Sequence, residues 1–193
     1  LDWDYSNNLL DPTRGGRVVI ESAPFTDTLS SDVHFWRNRL TATRYLPLRA
    51  DDRLVVALRG SAGSIVGAAR EDIPADERFY AGGGGSVRGF GFQLAGPVDG
   101  RNDPTGGRSV LEGNAELRWR ATETIGLVAF LDAGSAFTSV VPDQLDELRY
   151  GTGLGLRYMT PIGPLRLDVG VPINRRRDVD DLWQAYVSIG QAF

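Results

Sequence analysis

SVLEGNAELRWRATETIGLVAFLDAGSAF, residues 109–137, holds two period-two alternations joined by a short polar turn. On the first limb Leu111, Gly113, Ala115, Leu117, Trp119 and Ala121 share one face, and Glu112, Asn114, Glu116, Arg118, Arg120 and Thr122 share the other. The second limb sets Ile125, Leu127, Ala129, Leu131 and Ala133 against Gly126, Val128, Phe130, Asp132 and Gly134. Successive side chains of a strand point to opposite faces, so this pattern predicts two antiparallel strands. Both limbs exceed the roughly five or six residues usual in a soluble sandwich and approach the ~10 of a membrane-crossing strand. Their polar faces mix Arg, Glu and Asp, as a water-filled lumen lined by ion pairs requires. A soluble β-sandwich, whose polar face meets bulk water, is the competing reading.

Outward from this stretch the same period recurs. About nine strands are predicted, at roughly 1–8, 16–25, 32–48, 53–63, 109–122, 125–137, 148–160, 163–173 and 183–193. In the eighth, Leu165, Leu167, Val169 and Val171 oppose Arg166, Asp168 and Gly170. The connections alternate in length. RADD (49–52), ATET (121–124) and TPIGP (160–164) are tight, and Pro161 and Gly163 suit the second and fourth positions of a type I turn. Segments 26–31, 64–108, 138–147 and 174–182 are longer and polar, while NNLLDPTRGG (7–16) is a longer turn on the short-turn side. Short turns on one rim and long loops on the other favour an antiparallel transmembrane β-barrel.

Composition narrows the chemistry. The chain has 193 residues, 24 glycines, 10 prolines, one histidine and no cysteine. That leaves no Cys/His zinc site, disulfide, thiol nucleophile or iron–sulfur cluster. A Ser-His-Asp triad has only His34 to use, with no nucleophile elbow beside it. A net charge of -4 gives nothing toward nucleic acid. No apolar run approaches the ~20 residues of a spanning helix. The first 20 residues lack a basic start and apolar core, so they are not a signal peptide. The chain opens directly in strand-like sequence, LDWDYSNN, which reads as a natural start cut away.

The closing segment, WQAYVSIGQAF, is a second independent signal. Trp183, Ala185, Val187 and Ile189 fall on one face, and the segment ends on Phe193, with Gln191 as the exception on that face. A final amphipathic strand ending on an aromatic residue is similar to the targeting signal of bacterial outer-membrane proteins. Its residues are Trp183, Tyr186, Val187, Ile189 and Phe193.

FYAGGGGSVRGF, FLDAGSAF, GTGLGLRYMTPIGPLRLDVGVP, LLDPTRGGRV and this closing strand together resemble the TamA/BamA superfamily of outer-membrane β-barrel assembly proteins. The matches run in order from residue 7 to 193, and TPIGPLRLDVGVP with the closing strand leans toward TamA. The resemblance implies that residues 1–193 are the carboxyl-terminal portion of an outer-membrane barrel domain, about nine strands of a sixteen-stranded barrel. Its periplasmic POTRA domains are absent from the chain. An open sheet of this kind exposes two edges and an apolar face.

GGGGSVRGF, residues 82–90, poses the local question of where one arginine goes after four glycines. In the resembled family the corresponding loop, here about 64–108, folds back into the lumen, and its arginine meets acids of the inner wall. The physics agrees. Gly82–Gly85 and Gly89 permit a sharp turn and close backbone approach. Val87 and Phe90 can pack at the tip, and a guanidinium donates bidentately to a carboxylate. Arg88 is therefore expected on Asp132, with Glu116 as the alternative partner. A flexible linker with a solvated Arg88 is the bland reading. A phosphate loop is disfavoured because no Lys-Ser/Thr pair or helix pattern follows the glycines. A glycosidase pair of Glu116 and Asp132 has no sugar cleft to accompany it. Glu71, Asp72, Asp76 and Glu77 lack EF-hand spacing and read as a solvated loop.

The expected function is assembly or insertion of β-barrel or autotransporter clients in the bacterial cell outer membrane, without bond chemistry and without a cofactor or metal. The implied partners are the lipid bilayer, unfolded outer-membrane clients, and an inner-membrane or periplasmic protein reached through the missing domains, with no nucleic acid. Gly190 would loosen the final strand for a client to pair with. Two alternatives stay open: a two-partner secretion pore passing a polypeptide through the lumen, and a soluble β-sandwich binding module.

Overall fold

Nine antiparallel strands pair in chain order into one sheet in the computed structural model, which describes residues 1–26, 34–161 and 163–193. They are β1 (Asp2–Asp4), β2 (Gly15–Thr26), β3 (His34–Pro47), β4 (Leu54–Val66), β5 (Ser109–Arg120), β6 (Ile125–Phe137), β7 (Arg149–Tyr158), β8 (Leu165–Pro172) and β9 (Gln184–Ile189). Among the described residues helix occurs only as 3-10 turns of three residues, and no helix is long and apolar enough to cross a membrane. β1 and β9 do not pair with each other, so the sheet is not closed. The all-β antiparallel architecture is the expected one. The 26–31 connection lies, beyond Thr26, outside the described residues, as does Ile162 of the TPIG turn. Gly163 N–H donates to the Thr160 carbonyl at 3.1 Å across that turn.

Register converts the alternation into two surfaces. Asn114 pairs with Asp132, Asp132 with Gly151, and Gly155 with Asp168. This puts Glu112, Glu116, Asp132, Arg157 and Asp168 on one wall, all buried. Leu117, Trp119, Leu127, Leu131, Leu165, Leu167, Val187 and Ile189 face the other way and are all exposed, Leu131 at 52%. An apolar band this continuous suits hydrocarbon rather than water. The ladders satisfy the backbone between neighbours, which is what lets strands cross lipid.

Three boundaries depart from the expectation by three residues or more. β4 continues to Val66, because Ser64, Ile65 and Val66 keep pairing with Asn38, Arg37 and Trp36; the long loop is therefore 67–108 rather than 64–108. β1 stops at Asp4 instead of residue 8. The Asn7 and Asn8 side chains accept from the backbone N–H groups of Leu10, Asp11, Thr13 and Arg14, which curls the chain into a turn. β9 stops at Ile189 instead of 193. Gly190 has φ +94°, a left-handed conformation that glycine adopts without strain and that ends the strand. The last residues then turn inward. Phe193 packs on Tyr45, Val55 and Ala57, with the Arg118 guanidinium 5.3 Å from its ring centroid. Phe193 does not share the face of Val187 and Ile189.

The larger apolar cluster lies under loop 67–108. Phe35, Ile65 and Val110 from the wall meet Phe79, Val87 and Phe90 from the loop. Each such side chain contributes about 1.5–3 kcal/mol when fully withdrawn from water. This cluster holds the loop against the inner wall and sets the height of its tip.

Candidate functional site

The tip enters the lumen through a sequence of captured backbone groups. Gly82, Gly83 and Gly89 all have positive φ. Arg166 donates to the Gly84 carbonyl at 2.5 Å, and Asn114 to the Ser86 carbonyl at 2.6 Å. The Gly82 N–H donates to the Ser86 hydroxyl at 2.8 Å, and that hydroxyl is hydrogen-bonded to Glu112. Glu112 in turn receives Arg39 at 2.8 Å and Arg59 at 3.1 Å. The polyglycine turn is thus an ordered structure, bound carbonyl by carbonyl.

Arg88 is buried to 1% exposure. Its Nε and Nη2 donate to the two carboxylate oxygens of Asp132 at 2.7 and 2.9 Å, a bidentate fork. Its backbone N–H adds a third bond to Asp132 Oδ2 at 3.0 Å. Nη1 reaches Glu116 at 2.5 Å and Asp168 at 2.9 Å. The guanidinium lies 3.6 Å above the Phe130 ring centroid, within cation–π range. Burial, the largest single influence, disfavours the cation. The hydrogen bonds to Asp132 and the charges of Glu116, Asp132 and Asp168 overcome it and hold the guanidinium above the usual arginine range.

The acids are shared further. Arg118 donates to Glu116 at 2.7 Å. Asp168 receives Arg157 at 2.5 Å and Arg166 at 2.7 Å. Three carboxylates and four guanidinium groups form one connected, desolvated network. Such a network is costly to break at any single member, because its partner is then left buried and unpaired.

Space for the tip comes from glycine on the inner face of β7. A Cβ on Gly151 would stand 1.7 Å from the Arg88 carbonyl oxygen. Gly153 and Gly155 lie on the same inward face two and four residues on. The structure therefore brings together Val87, Arg88, Gly89, Phe90, Asp132 and Glu116. Of the closing-strand residues, Tyr186 joins them: its hydroxyl accepts from Gly89 N–H at 3.0 Å and donates to the Phe90 carbonyl at 2.7 Å. Trp183, Val187 and Ile189 are exposed on the outer surface, and Phe193 sits inside but away from Arg88.

Sequence reasoning put Arg166 and Asp168 on the polar face of their strand but did not join them to Arg88, and it left out Arg157 and the inward role of Tyr186. A signal for Asp168 was present. LDAG (131–134) and LDVG (167–170) are the same pattern on two strands, and in both the aspartate falls on the inward face. GTGLG (151–155), with glycine at every inward position, likewise marks the place where another backbone arrives.

A family model described as the Omp85 superfamily domain matches residues 1–193. An outer membrane protein assembly factor BamA of Nitratidesulfovibrio vulgaris is 34% identical over 124 residues, covering 62% of this chain and 16% of the relative. A SAM50-like protein of Schizosaccharomyces pombe is 27% identical over 184 residues, covering 88% of this chain and 38% of its own length. The chain thus spans well under half of these relatives. In structure, BamA from Haemophilus ducreyi lacking POTRA domains 1–3 superposes with a TM-score of 0.79 at 22% identity, over 95% of this chain and 40% of the other, a likeness of fold.

Proposed function

The chain belongs to the Omp85 superfamily, and from that premise we propose that it is part of an outer-membrane protein assembly factor whose barrel holds an arginine-tipped loop in its lumen. The observation that carries this is Arg88 itself, drawn through a bound glycine turn onto Asp132, Glu116 and Asp168. A charge cluster this dry serves to fix a loop inside a wall. Every carboxylate in it is already engaged by cations, which fits a structural role. The apolar outer face supplies the partner surface for the bilayer, in the bacterial outer membrane. The clients are unfolded outer-membrane or autotransporter proteins, and β9, whose far edge no described strand pairs with, is the strand that a client strand augments. A periplasmic or inner-membrane partner is reached through domains beyond these residues. The leaning toward TamA rests on TPIGPLRLDVGVP and the closing strand alone, whereas the relatives above carry the BamA and SAM50 names.

The test is complementation in cells depleted of the full-length protein. Arg88→Ala and Asp132→Ala should leave the barrel in the outer membrane and lower the amount of heat-modifiable, folded client. Normal client folding by both variants would overturn the assembly reading. Normal client folding together with a large steady conductance of the wild-type barrel would favour a polypeptide-secreting pore.

A further inference from the structure

Tyr186 stands on the inner face of β9, opposite Asp168 in register. Its hydroxyl bonds Gly89 N–H and the Phe90 carbonyl, the backbone groups immediately after Arg88. Its ring lies along Gly84, where a Cβ would meet three Tyr186 carbons at 3.1–3.2 Å. One side chain therefore spans the tip from the glycine turn to the residue past the arginine. The rest of the attachment of β9 is thin. It pairs with β8 over six residues, Leu165↔Ile189 to Gly170↔Gln184, and no described strand pairs with its other edge.

A half-buried tyrosine ordinarily finds a partner for its hydroxyl, and one such bond would mean little. Here both partners are main-chain groups flanking Arg88, and Arg88 is anchored on β6 through its own main chain as well as its side chain. The tip cannot leave Asp132 without straining the bonds to Tyr186. Nor can β9 swing outward without pulling on the same two groups.

We propose that Tyr186 is a positioning residue that couples the edge strand β9 to the docked Arg88 tip, so that the docked tip holds β9 against β8 and release of either loosens the other. The inference rests on the assembly reading only in taking β9 as the strand a client meets. As a coupling between two sites it is reciprocal: whatever docking does for β9, β9 does for docking.

The experiment is amide hydrogen exchange on the full-length protein in lipid nanodiscs, read at peptides covering residues 86–91 and 184–189. Tyr186→Phe keeps the ring and removes the bonds. It should speed exchange at Gly89 about tenfold and across β9 about threefold. Arg88→Ala should speed β9 exchange to a similar degree, and should add nothing further when Tyr186 is already Phe. Tyr150→Phe, on the outer side of β7, should change neither peptide. Faster exchange at Gly89 with β9 unchanged, or effects of Arg88→Ala and Tyr186→Phe on β9 that simply add, would overturn the coupling. Client folding is scored separately. Intact coupling with normal clients in Arg88→Ala leaves this inference standing and removes the assembly reading. Lost clients in Arg88→Ala with no coupling to β9 does the reverse.

Discussion

β2–β3 and β5–β8 obey the same alternation and meet different fates. Their outward residues are equally exposed, Ile20 at 45% and Leu117 at 44%. Inward, they diverge. Arg17 and Glu21 of β2 stay exposed and Arg37 and Arg39 of β3 are partly covered, while Glu116, Asp132, Arg157 and Asp168 are sealed. The strands do not cause this difference, because periodicity assigns only the face. The tip of loop 67–108 causes it, by standing over β5–β8 and reaching β4 only in part. A charge on the β2 wall is solvated, and its pairing with Asp2 is a surface pair of small worth. The same residue types under the tip are desolvated, and pairing becomes obligatory.

The sharpest way to break this comparison is to remove one charge from each region. Arg88→Ala should destabilise the docked loop by on the order of 3 kcal/mol, because three buried acids lose a shared donor. Arg17→Ala should stay within about 0.5 kcal/mol. Asp132→Ala should match Arg88→Ala, and the double variant should fall far short of the sum. Arg88→Lys should rescue poorly, since an ammonium cannot reproduce the fork. Denaturant unfolding of the full-length barrel in detergent measures all five. Equal losses for Arg17→Ala and Arg88→Ala would mean that the loop does not create the difference.

A second contrast uses the same substitution on two faces. Gly151→Ala puts a methyl carbon where the Arg88 carbonyl lies, while a Cβ on Gly113 meets nothing within 4 Å. Gly151→Ala should cost about 1–3 kcal/mol through displacement of the tip, and should make residues 82–90 accessible to protease. Gly113→Ala should be silent in both assays. A silent Gly151→Ala would show that the tip does not rest on β7.

The wall was more legible in the sequence than its cover. Residues 109–137 declare their faces through alternation alone, and Asp132 and Glu116 could be placed inward before any coordinates. The strand ends were less legible, because a side-chain bond or one backbone dihedral decides them: Asn7 and Asn8 curl the chain after β1, and Gly190 stops β9. The network beyond Arg88 was hardest to see. Asp168 lies eighty residues from Arg88, and no local pattern says that two inward aspartates on β6 and β8 converge on one guanidinium. That convergence comes from the curvature of the sheet and the depth of the loop, which are tertiary quantities.

Phe193 sharpens the comparison from the other side of the lumen. It covers Tyr45, Val55 and Ala57, so it does for the β3–β4 wall a small part of what the loop does for β5–β8. Phe193→Leu keeps most of the volume and loses the stacking with Arg118, so about 1 kcal/mol should be lost in thermal unfolding of the full-length protein. Phe193→Asp puts a carboxylate into that apolar contact and should also lower the amount recovered in the outer membrane of fractionated cells. Normal membrane levels of Phe193→Asp would remove the targeting reading of the closing segment and leave only the packing role.

The smallest effect is expected where no cover exists at all. Arg14 on the β1–β2 turn donates to Asp52 on the β3–β4 turn with Nη2 at 2.6 Å and Nε at 2.9 Å, a geometry as good as that of Arg88. Both side chains are solvated, at 53% and 29% exposure. The Arg14 hydrogen bond holds the Asp52 carboxyl below its usual range. A carboxyl depressed in the folded state stabilises above its unfolded value, near 4, and that contribution disappears as the pH falls through the folded value. Asp52→Asn is the fitting variant, because residue 52 has φ +54° and asparagine tolerates that conformation. Water screens the pair, so the melting temperature at pH 7 should not move beyond error in either low or strong salt. The same bidentate fork would then have opposite consequences at Arg14 and at Arg88, which burial and the further bonds to Glu116 and Asp168 set apart. A loss at Asp52→Asn as large as that at Asp132→Ala would mean that geometry, not desolvation, sets the strength of these pairs.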